Sequence, residues 1–548
     1  MLSDAQTYEE LIANFRWQVP AHYNIGVDIC DKWAMREPDR PALICISEAG
    51  AREEVTFGAL MALSNKIANR FATDGVTRGD RVAILLPQAK ETAAAHIAAH
   101  KLGAISIPLF MLFGEEALAF RLGDSGAKAV VTNATGAAKL AKIRAELPDL
   151  ERVYTVDGAH AGTTDLHAAL TGQADSFTPV DTSANDPAIL IYTSGTTGQP
   201  KGALHGHRVL LGHLPGVEMS HDLFPQVGDR IWTPADWAWI GGLLDVLMPA
   251  LHHGVCVVAC RFEKFTADAA FRLIAQEKIQ NAFLPPTALK MMRAHGDPDP
   301  AYDLNMRTIA SGGETLGAEL LDWGRRVFGV TINEFYGQTE CNMIVSSCAA
   351  IMPPRPGIMG RAVPGHDVRI VDAAGTPVTD GTEGNIGVRR GDPVMFLRYW
   401  NNSRATEGKF AGDFLLTGDM GMRDAHGWIR FVGRDDDVIT SSGYRIGPGE
   451  IEDCLIGHPA VSMAGVVGKP DPQRTEIVKA YVVLADGFEP TAELARALQD
   501  FVKVRLAAHE YPREVVFVDT LPMTTTGKII RKDLRQRAVE ETKGTSRT

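Results

Sequence analysis

Short β-rich runs alternate with helical stretches over most of the first 433 residues. The run from Arg81 to Leu86 precedes an Ala- and His-rich helical stretch from Glu91 to Leu102, and another helical stretch, around Glu115 to Leu122, precedes the β-rich run AVVTN. This alternation predicts an α/β architecture in which parallel sheets are covered by helices. Ligands of such sheets bind at loops that leave the carboxyl ends of strands, so function is expected in those loops.

The sequence pattern changes after residue 433. At 548 residues the chain is too long for one compact core, and a run of three aspartates follows Arg434. We therefore predict an N-terminal domain at 1–433 and a small α+β domain at 434–548, with the hinge at Asp435 or Asp436. The elements predicted for the small domain are strands at 462–467, 479–484 and 515–518 and an amphipathic helix at 491–506.

Composition excludes several classes of function. The chain has 55 basic and 67 acidic residues, a net charge of -12, so we expect neither nucleic-acid binding nor attraction to anionic membranes. Seven cysteines without C-x-x-C spacing are typical of a reduced cytosolic protein. The first residues have no apolar signal segment and no run approaches the length of a membrane span. We predict a cytoplasmic protein without membrane insertion.

Residues 192–202, YTSGTTGQPKG, follow the apolar run from Ala188 to Ile191 and suit a polyphosphate. The glycines permit close backbone approach, the hydroxyls donate hydrogen bonds, and Lys201 adds a positive charge. Gly202 stands where a Walker loop has its magnesium-binding Ser or Thr, so a kinase or motor is disfavoured. From these residues alone, a surface loop remains an alternative.

Four further segments suit a nucleotide. SGGE at 311–314 offers a glycine turn, and EFYGQTE at 334–340 offers an aromatic face and an acid that could bind magnesium. The carboxylate of Asp419 in TGD can accept ribose hydroxyls, and Lys528 on a glycine-containing turn is a mobile cation. Taken alone, each of these segments is also compatible with an ordinary position in the core, in a turn or on the surface.

Together and in this order, these segments resemble the AMP-forming acyl-CoA synthetase, luciferase and adenylation-domain superfamily over nearly the whole chain. The medium-chain acyl-CoA synthetase branch is the most similar, through GNIGVR, SGYRIGPGEIE, VVGKPDPQRTEIVKAYVVL and EYPREVVFV. The resemblance implies a large N-terminal region that binds ATP and acid and a small C-terminal domain that rotates between two half-reactions. Asp436 matches the family hinge.

The resemblance also implies residue roles. Residues 193–201 would hold the β- and γ-phosphates, Tyr336 would face the adenine, and Asp419 and Arg434 would bind the ribose. Thr339 and Glu340 would serve the α-phosphate and Mg²⁺, with Glu340 the metal ligand, and Lys528 would be the adenylation lysine, so the catalytic residues are Lys528, Thr339 and Glu340. The implied ATP-binding residues are Thr193, Ser194, Gly195, Thr196, Thr197, Gly198, Lys201, Gly312, Gly313, Glu314, Glu334, Phe335, Tyr336, Gly337, Gln338, Thr339, Asp419, Arg434 and Lys528.

Coenzyme A would enter beside the C-terminal domain. By resemblance Ser442, Gly443 and Tyr444 lie beside the pantetheine tunnel. The remaining implied CoA-binding residues are Arg445, Arg474, Lys503, Tyr511, Pro512 and Arg513. Scattered cations of this kind can bind phosphates, and ordinary surface charge is the alternative.

The acyl pocket is expected at Trp237, Trp239, Gly241 and Gly337. Acetyl-CoA synthetases carry a tryptophan where this chain has Gly337, so the missing indole predicts room for several carbons. Trp237 stands where the medium-chain branch commonly has a small residue, which shortens the pocket or only packs the core. We predict a short-to-medium, branched or straight aliphatic acid, with an aromatic acid such as benzoate as the second choice.

The predicted activity is that of an AMP-forming acid–thiol ligase using ATP, Mg²⁺ and coenzyme A. Rival hypotheses are an adenylation enzyme that loads a carrier protein and a non-catalytic nucleotide sensor. Two further predictions concern partners: acetylation and deacetylation of Lys528, which would remove a charge that adenylation needs, and a homodimer.

Overall fold

The computed structural model of the chain describes residues 1–47, 49–193, 200–262, 264–314, 316–434, 437–441, 444–471, 474–506, 511–524 and 528–545. For residues 440, 444, 445, 450 and 542–545 it describes the backbone alone. Within these residues the fold is α/β, as the alternating pattern predicts, and it contains four sheets.

The first sheet is parallel at its centre and antiparallel at both edges. The central strands run from Pro41–Ile46 to Asn333–Gln338, and an antiparallel strand adds to each of these two. In spatial order its strands are Arg361–Ala362, Cys341–Ser346, Asn333–Gln338, Thr308–Gly312, Asn281–Phe283, Arg230–Trp232, Cys256–Cys260, Pro41–Ile46 and Arg52–Thr56.

The second sheet contains Pro187–Thr193 and Lys201–Gly206, the strands on either side of the predicted phosphate loop. Strand Pro187–Thr193 pairs antiparallel with Lys201–Gly206, which pairs antiparallel with Arg398–Tyr399. The loop therefore joins two strands of a hairpin, where the sequence showed only that it follows a strand. In spatial order the strands are Arg398–Tyr399, Lys201–Gly206, Pro187–Thr193, Ile105–Pro108, Arg81–Leu85, Ala129–Thr132, Arg152–Thr155 and Thr164–Asp165.

Two smaller sheets complete the described fold. The third is antiparallel and contains Val368–Val371, Glu383–Arg389, Phe414–Arg423, Phe410–Ala411 and Ile429–Arg434. The fourth lies in the C-terminal part and contains Tyr444–Ile446, Ile439–Ser441, Thr475–Leu484, Val461–Asp471 and Glu514–Phe517. The predicted strands at 462–467, 479–484 and 515–518 fall on three of these, and the predicted helix at 491–506 is observed as Ala492–Arg505.

The helices cover the sheets and fill the space between them. Leu43 of the first sheet and Val82 of the second belong to one continuous apolar core, to which the buried helices Lys90–Lys101 and Val209–Ser220 contribute. The α-helices are Tyr8–Asn14, Lys32–Arg36, Phe57–Thr73, Lys90–Lys101, Glu115–Ser125, Ala134–Ile143, Leu166–Ala169, Val209–Ser220, Ile240–Gly242, Met248–His252, Ala267–Gln276, Pro286–His295, Ala318–Phe328, Ser403–Glu407, Pro448–Ile456, Ala492–Arg505 and Arg531–Thr545. Shorter helical turns of other pitch span Val27–Asp31, Arg144–Glu146 and Leu243–Leu247.

Among the described residues, no helix has both the length and the apolar character needed to cross a membrane.

Candidate active site

Tyr336, Asp419 and Arg434 meet where the first and third sheets come together. The Tyr336 hydroxyl donates to Asp419 Oδ2 at 2.6 Å, and Arg434 Nη1 lies 3.4 Å from Asp419 Oδ1. Asp419 and Arg434 are paired across antiparallel strands, which fixes their proximity. Burial raises the pKa of Asp419, while Arg434 and the Tyr336 hydroxyl act in the opposite direction. The structure thus brings together the three residues predicted for adenine and ribose.

Lys409 contacts the strands that carry Tyr336 and Asp419, and the sequence analysis did not predict it as a site residue. Its ammonium donates to Gln338 Oε1 at 2.9 Å and to the carbonyls of Leu416 and Thr417 at 3.3 and 3.0 Å. Gln338 Nε2 also donates to the Thr417 carbonyl, at 3.1 Å. The sequence gives no signal for this contact, because Lys409 lies in an unremarkable polar turn.

Glu340 is buried and accepts a hydrogen bond from the hydroxyl of Tyr399. Burial, and next the charge of Glu340, raise the pKa of that hydroxyl. The Lys201 ammonium lies 5.4 Å from the centroid of the Tyr399 ring, a cation–π arrangement. Tyr399 therefore touches both the predicted metal ligand and the predicted phosphate lysine, and sequence reasoning missed it.

The segment 396–400 also makes backbone contacts to both partners. The amide of Phe396 donates to the carbonyl of Glu340 at 2.8 Å. The amides of Leu397 and Trp400 donate to the carbonyls of Leu204 and Gly202, both at 2.7 Å. One short strap thus joins the strand that begins at Lys201 to the loop that carries Glu340.

Lys528 reaches the loop after strand Thr308–Gly312. Gly313 has φ +108, and a Cβ placed there would lie 3.4 Å from Lys528 Cε and 3.9 Å from Trp239 Cη2. The Lys528 side chain is exposed to solvent, yet desolvation by the surrounding protein lowers its pKa, opposed by the charges of Glu314 and Asp419. The structure brings Lys528 to the predicted ATP and acyl residues.

Two acidic groups flank this loop. Glu314 accepts from the ammonium of Lys290 at 3.0 Å, a lysine that sequence reasoning missed. Glu334 is buried and accepts from the Leu316 amide at 3.1 Å; burial raises its pKa to about 8. Glu334 is thus a mainly protonated carboxyl at neutral pH, a charge state that the sequence did not predict.

Aromatic rings form the wall behind Gly313. Trp239 lies against Phe283, with ring centroids 5.6 Å apart, and Phe283 lies 5.2 Å from Phe335. A Cβ on Gly241 would come within 2.9 Å of both the Trp239 and Phe283 rings. Among the predicted acyl-pocket residues, Trp239 and Gly241 therefore lie at this wall, while Trp237 is buried in the main core.

Gly337 lies against the backbone of the facing strand. A Cβ on Gly337 would be 2.5 Å from both Asn342 Cα and Met343 N. Atoms at that distance overlap, so this backbone has no space for any side chain at Gly337. The absence of an indole at this position is tied to the close approach of the two strands, which weakens the inference that Gly337 alone enlarges the pocket.

Three of the predicted CoA residues form one cluster in the C-terminal part. The Tyr511 ring lies 5.4 Å from the Lys503 ammonium and 5.0 Å from the Arg513 guanidinium, and Arg513 Nη1 donates to the Tyr511 hydroxyl at 3.1 Å. Arg474 donates its backbone amide to Asp471. The cluster presents two cations on one aromatic ring.

Some predicted positions lie outside the described residues. These are Ser194, Gly195, Thr196, Thr197, Gly198, Asp435, Asp436, Ser442 and Gly443, together with the side chains of Tyr444 and Arg445. Within the part of the chain that is described, no group of three or more His, Cys, Asp or Glu side chains is arranged to hold a metal ion by itself.

Two family models match the chain. The family model described as AMP-binding enzyme matches residues 30–400, and that described as AMP-binding enzyme C-terminal domain matches residues 450–528. The chain belongs to the AMP-binding enzyme family. Its acyl-CoA synthetase-like character, predicted from the motifs, is confirmed.

Relatives in this family act on different acids. The chain is 35% identical to the acetyl-coenzyme A synthetase of Bacillus subtilis, over 97% of this chain and 95% of that protein. It is 35% identical to human acyl-coenzyme A synthetase ACSM4, mitochondrial, over 94% and 91%. The crystal structure of the anthranilate CoA ligase AuaEII with anthranoyl-AMP superposes with a TM-score of 0.88 at 28% identity, over 96% and 99%. The protein is an AMP-forming acid–CoA ligase, and these comparisons leave its acid open.

Proposed function

We propose that this enzyme joins a short-to-medium-chain aliphatic acid to coenzyme A through an acyl-adenylate. The observation that carries the proposal is the approach of Lys528, from the C-terminal part, to Gly313 and Trp239. A cation at this point would lie between a carboxylate seated on the aromatic wall and a nucleotide held at Tyr336 and Asp419.

In the first half-reaction, a carboxylate oxygen attacks the α-phosphorus of ATP, and the bond to pyrophosphate breaks. The two reactants are both anionic, so Lys528 reduces their repulsion and stabilises charge on the transferred phosphoryl group. Asp419 and Arg434 hold the ribose, and Lys201 holds the leaving pyrophosphate. In the second half-reaction the CoA thiol attacks the acyl carbon and AMP leaves, so no cysteine of the enzyme is required as a nucleophile.

The donor set around Glu340 fits a magnesium ion. Its Oε1 is engaged by Tyr399, and among the described residues none hydrogen-bonds to Oε2. Magnesium is commonly held by one or two carboxylates plus substrate phosphates, which matches a single open carboxylate oxygen. When bound, Mg²⁺ supplies neutralisation of phosphate charge; Glu340, with the hydroxyl of Thr339 nearby in sequence, would hold it.

The CoA assignments are also part of the proposal. Lys503, Arg513 and Arg474 are cations suited to the phosphates of coenzyme A. Their use requires the C-terminal domain, 434–548, to turn about Asp436 after adenylation. Separate assays of the two half-reactions test this: substitutions in the cluster should slow thioester formation and spare pyrophosphate release.

A panel of acids tests the substrate class. The panel contains acetate, butyrate, isobutyrate, hexanoate, octanoate and benzoate. Initial rates of pyrophosphate release should be highest for acids of roughly four to eight carbons, and the optimum should be broad because an apolar pocket separates homologues weakly. A clear optimum at acetate, the acid named in the Bacillus subtilis relative, would contradict the proposed chain length.

An aromatic acid is the second candidate. It is favoured by the wall of Trp239, Phe283 and Phe335, whose rings could stack on a planar acid. The superposed anthranilate CoA ligase is in keeping with it. In the same panel, a kcat/KM for benzoate above that of every aliphatic acid would favour this candidate.

Replacement of Lys528 by alanine tests the catalytic assignment. Pyrophosphate release should fall by at least roughly 100-fold, as for loss of a major electrostatic donor, while thioester formation from preformed acyl-adenylate changes little. Unchanged adenylation would refute the role of Lys528. Turnover that needs a carrier protein in place of free CoA would support the rival carrier-loading hypothesis.

The partner and location predictions remain proposals. Acetylated Lys528 should lose adenylation activity and regain it on deacetylation, which mass spectrometry and an activity assay would follow. A homodimer is testable by light scattering. The human relative is named as mitochondrial, so a cytoplasmic location needs direct measurement.

A further inference from the structure

Lys409 bridges several uncharged groups. All three of its hydrogen bonds go to uncharged acceptors: Gln338 Oε1, the Leu416 carbonyl and the Thr417 carbonyl, at 2.9, 3.3 and 3.0 Å. An ammonium has three donors, so these contacts satisfy it completely. Among the residues that the structure describes, no carboxylate pairs with it. Because no described carboxylate pairs with it, the role of this partly buried lysine lies in holding its three acceptors in place.

That position lies across the seam between two sheets. Gln338 ends strand Asn333–Gln338 of the first sheet, and Thr417 belongs to strand Phe414–Arg423 of the third. Gln338 Nε2 also donates to the Thr417 carbonyl, so Lys409 and Gln338 converge on one oxygen. A further hydrogen bond across this seam runs from Tyr336 to Asp419, two residues away on each strand.

The contacts of Thr417 carry this constraint to Asp419. The Thr417 hydroxyl accepts from the Asp419 amide at 3.1 Å and donates to the Ile386 carbonyl at 2.9 Å. Gly418 between them has φ +79, a left-handed conformation, at an irregularity in the pairing of this strand. A shift of Thr417 would therefore move the Asp419 carboxylate.

The positive charge of Lys409 also favours the ionised form of Asp419. Asp419 is buried, which raises its pKa, and the positive charges of Arg434, Lys409 and Lys528 lower it. Loss of one of these cations favours the protonated carboxyl, which is a poorer acceptor for two hydroxyl groups.

We propose that Lys409 is a positioning residue for ribose recognition: by clamping Gln338 to Thr417 it sets the place of the Asp419 carboxylate against the ribose hydroxyls. The inference rests on the proposed assignment of Asp419 to the ribose. Lys409 itself acts through Thr417 and Gln338 and need not touch the nucleotide.

Nucleotide analogues that lack one ribose hydroxyl test the inference. Binding of AMP, 2′-deoxy-AMP and 3′-deoxy-AMP to the full chain is measured by isothermal titration calorimetry for the wild type, Lys409→Met, Lys409→Arg and Asp419→Asn. Lys142→Met, which changes an exposed lysine paired with Glu115, is the control.

The wild type should prefer AMP to both deoxy analogues by roughly tenfold, and Asp419→Asn should remove most of that preference. Lys409→Met should weaken AMP binding by roughly tenfold and weaken the analogues much less, so the preference falls. Lys409→Arg keeps the charge and should recover part of it. Lys142→Met should match the wild type.

The outcomes separate two failures. A wild type without preference, or an Asp419→Asn variant that keeps it, would refute the ribose assignment of Asp419. If Asp419→Asn loses the preference while Lys409→Met keeps it, or if Lys409→Met weakens all three ligands equally, the role of Lys409 is refuted.

Folding is followed by thermal melting of each variant. Gln338→Leu removes the other end of the clamp and should reduce the same preference. The Lys409→Met/Gln338→Leu double variant should lose no more of the preference for AMP than the more impaired single variant, because both substitutions break the same link. Losses that multiply would contradict a shared clamp.

Discussion

The buried carboxyl of Glu334 should make the stability of the enzyme depend on pH in a direction opposite to that of ordinary acidic side chains. Its pKa is raised from 4.5 to about 8, chiefly by burial. The folded state therefore keeps a proton that the unfolded chain releases above pH 4.5. Stability is greatest, for this group, below pH 4.5 and falls as the pH rises towards 8, beyond which the loss is complete.

The size of the effect follows from the difference of about 3.5 pH units. At about 1.36 kcal/mol per unit, full ionisation costs the folded state about 5 kcal/mol, of which about 2 kcal/mol is lost between pH 6 and pH 8. With about 2.1 cal/mol/K of unfolding entropy per residue, the predicted N-terminal domain, 1–433, converts this into a fall in Tm of about 2 °C.

Glu334→Gln supplies the perturbation, because glutamine resembles the protonated acid and keeps an oxygen for the Leu316 amide. Differential scanning fluorimetry at intervals from pH 5 to pH 9 should show the variant losing about 2 °C less than the wild type between pH 6 and pH 8. Above pH 8 the variant should be the more stable protein. Glu116→Gln, at an exposed glutamate, is the control and should follow the wild type.

Parallel Tm profiles for the wild type and Glu334→Gln would refute the reasoning, because they would show that Glu334 does not titrate between the folded and unfolded values assigned to it. A variant that loses more stability at high pH than the wild type would refute it as well.

Three substitutions test other parts of the site. Gly313→Ala puts a methyl group against Lys528 at φ +108, so pyrophosphate release should fall roughly tenfold or more and Tm should also fall, by the strain of about 1–3 kcal/mol; full activity would contradict the close approach. Tyr399→Phe removes the hydroxyl bound to Glu340, so the Mg²⁺ concentration for half-maximal pyrophosphate release should rise roughly three- to tenfold; an unchanged requirement would exclude that link. Gly337→Ala should lower the unfolding free energy by about 1–3 kcal/mol through backbone overlap, as seen by chemical denaturation, and a neutral effect would show that the strands can separate.

Sequence predicted the fold well where its signals are local. The run from Arg81 to Leu86 is observed as strand Arg81–Leu85, and the helix expected at Glu91 to Leu102 is observed as Lys90–Lys101. Apolar runs and helical spacing are properties of neighbouring residues, so they can be read without knowledge of the partners.

The site was only partly predictable for the opposite reason. Tyr336, Asp419 and Arg434 belong to recognisable motifs, and the structure brings them together. Lys409 and Tyr399 contribute through contacts with residues distant in sequence or in another sheet, and neither has a composition or spacing that distinguishes it. The charge state of a buried acid likewise depends on burial, which only the assembled fold determines.

The hydrogen-bonded strap at 396–400 has a consequence for how this enzyme can change. The same few residues hold the carbonyl and carboxylate of Glu340 and the strand that starts at Lys201. Under the proposed roles of Glu340 and Lys201, nucleotide affinity and metal preference are therefore coupled traits in this chain. A variant selected for another divalent ion through changes in the strap should emerge with an altered KM for ATP, and second substitutions that restore one property should be found among the neighbours of the other.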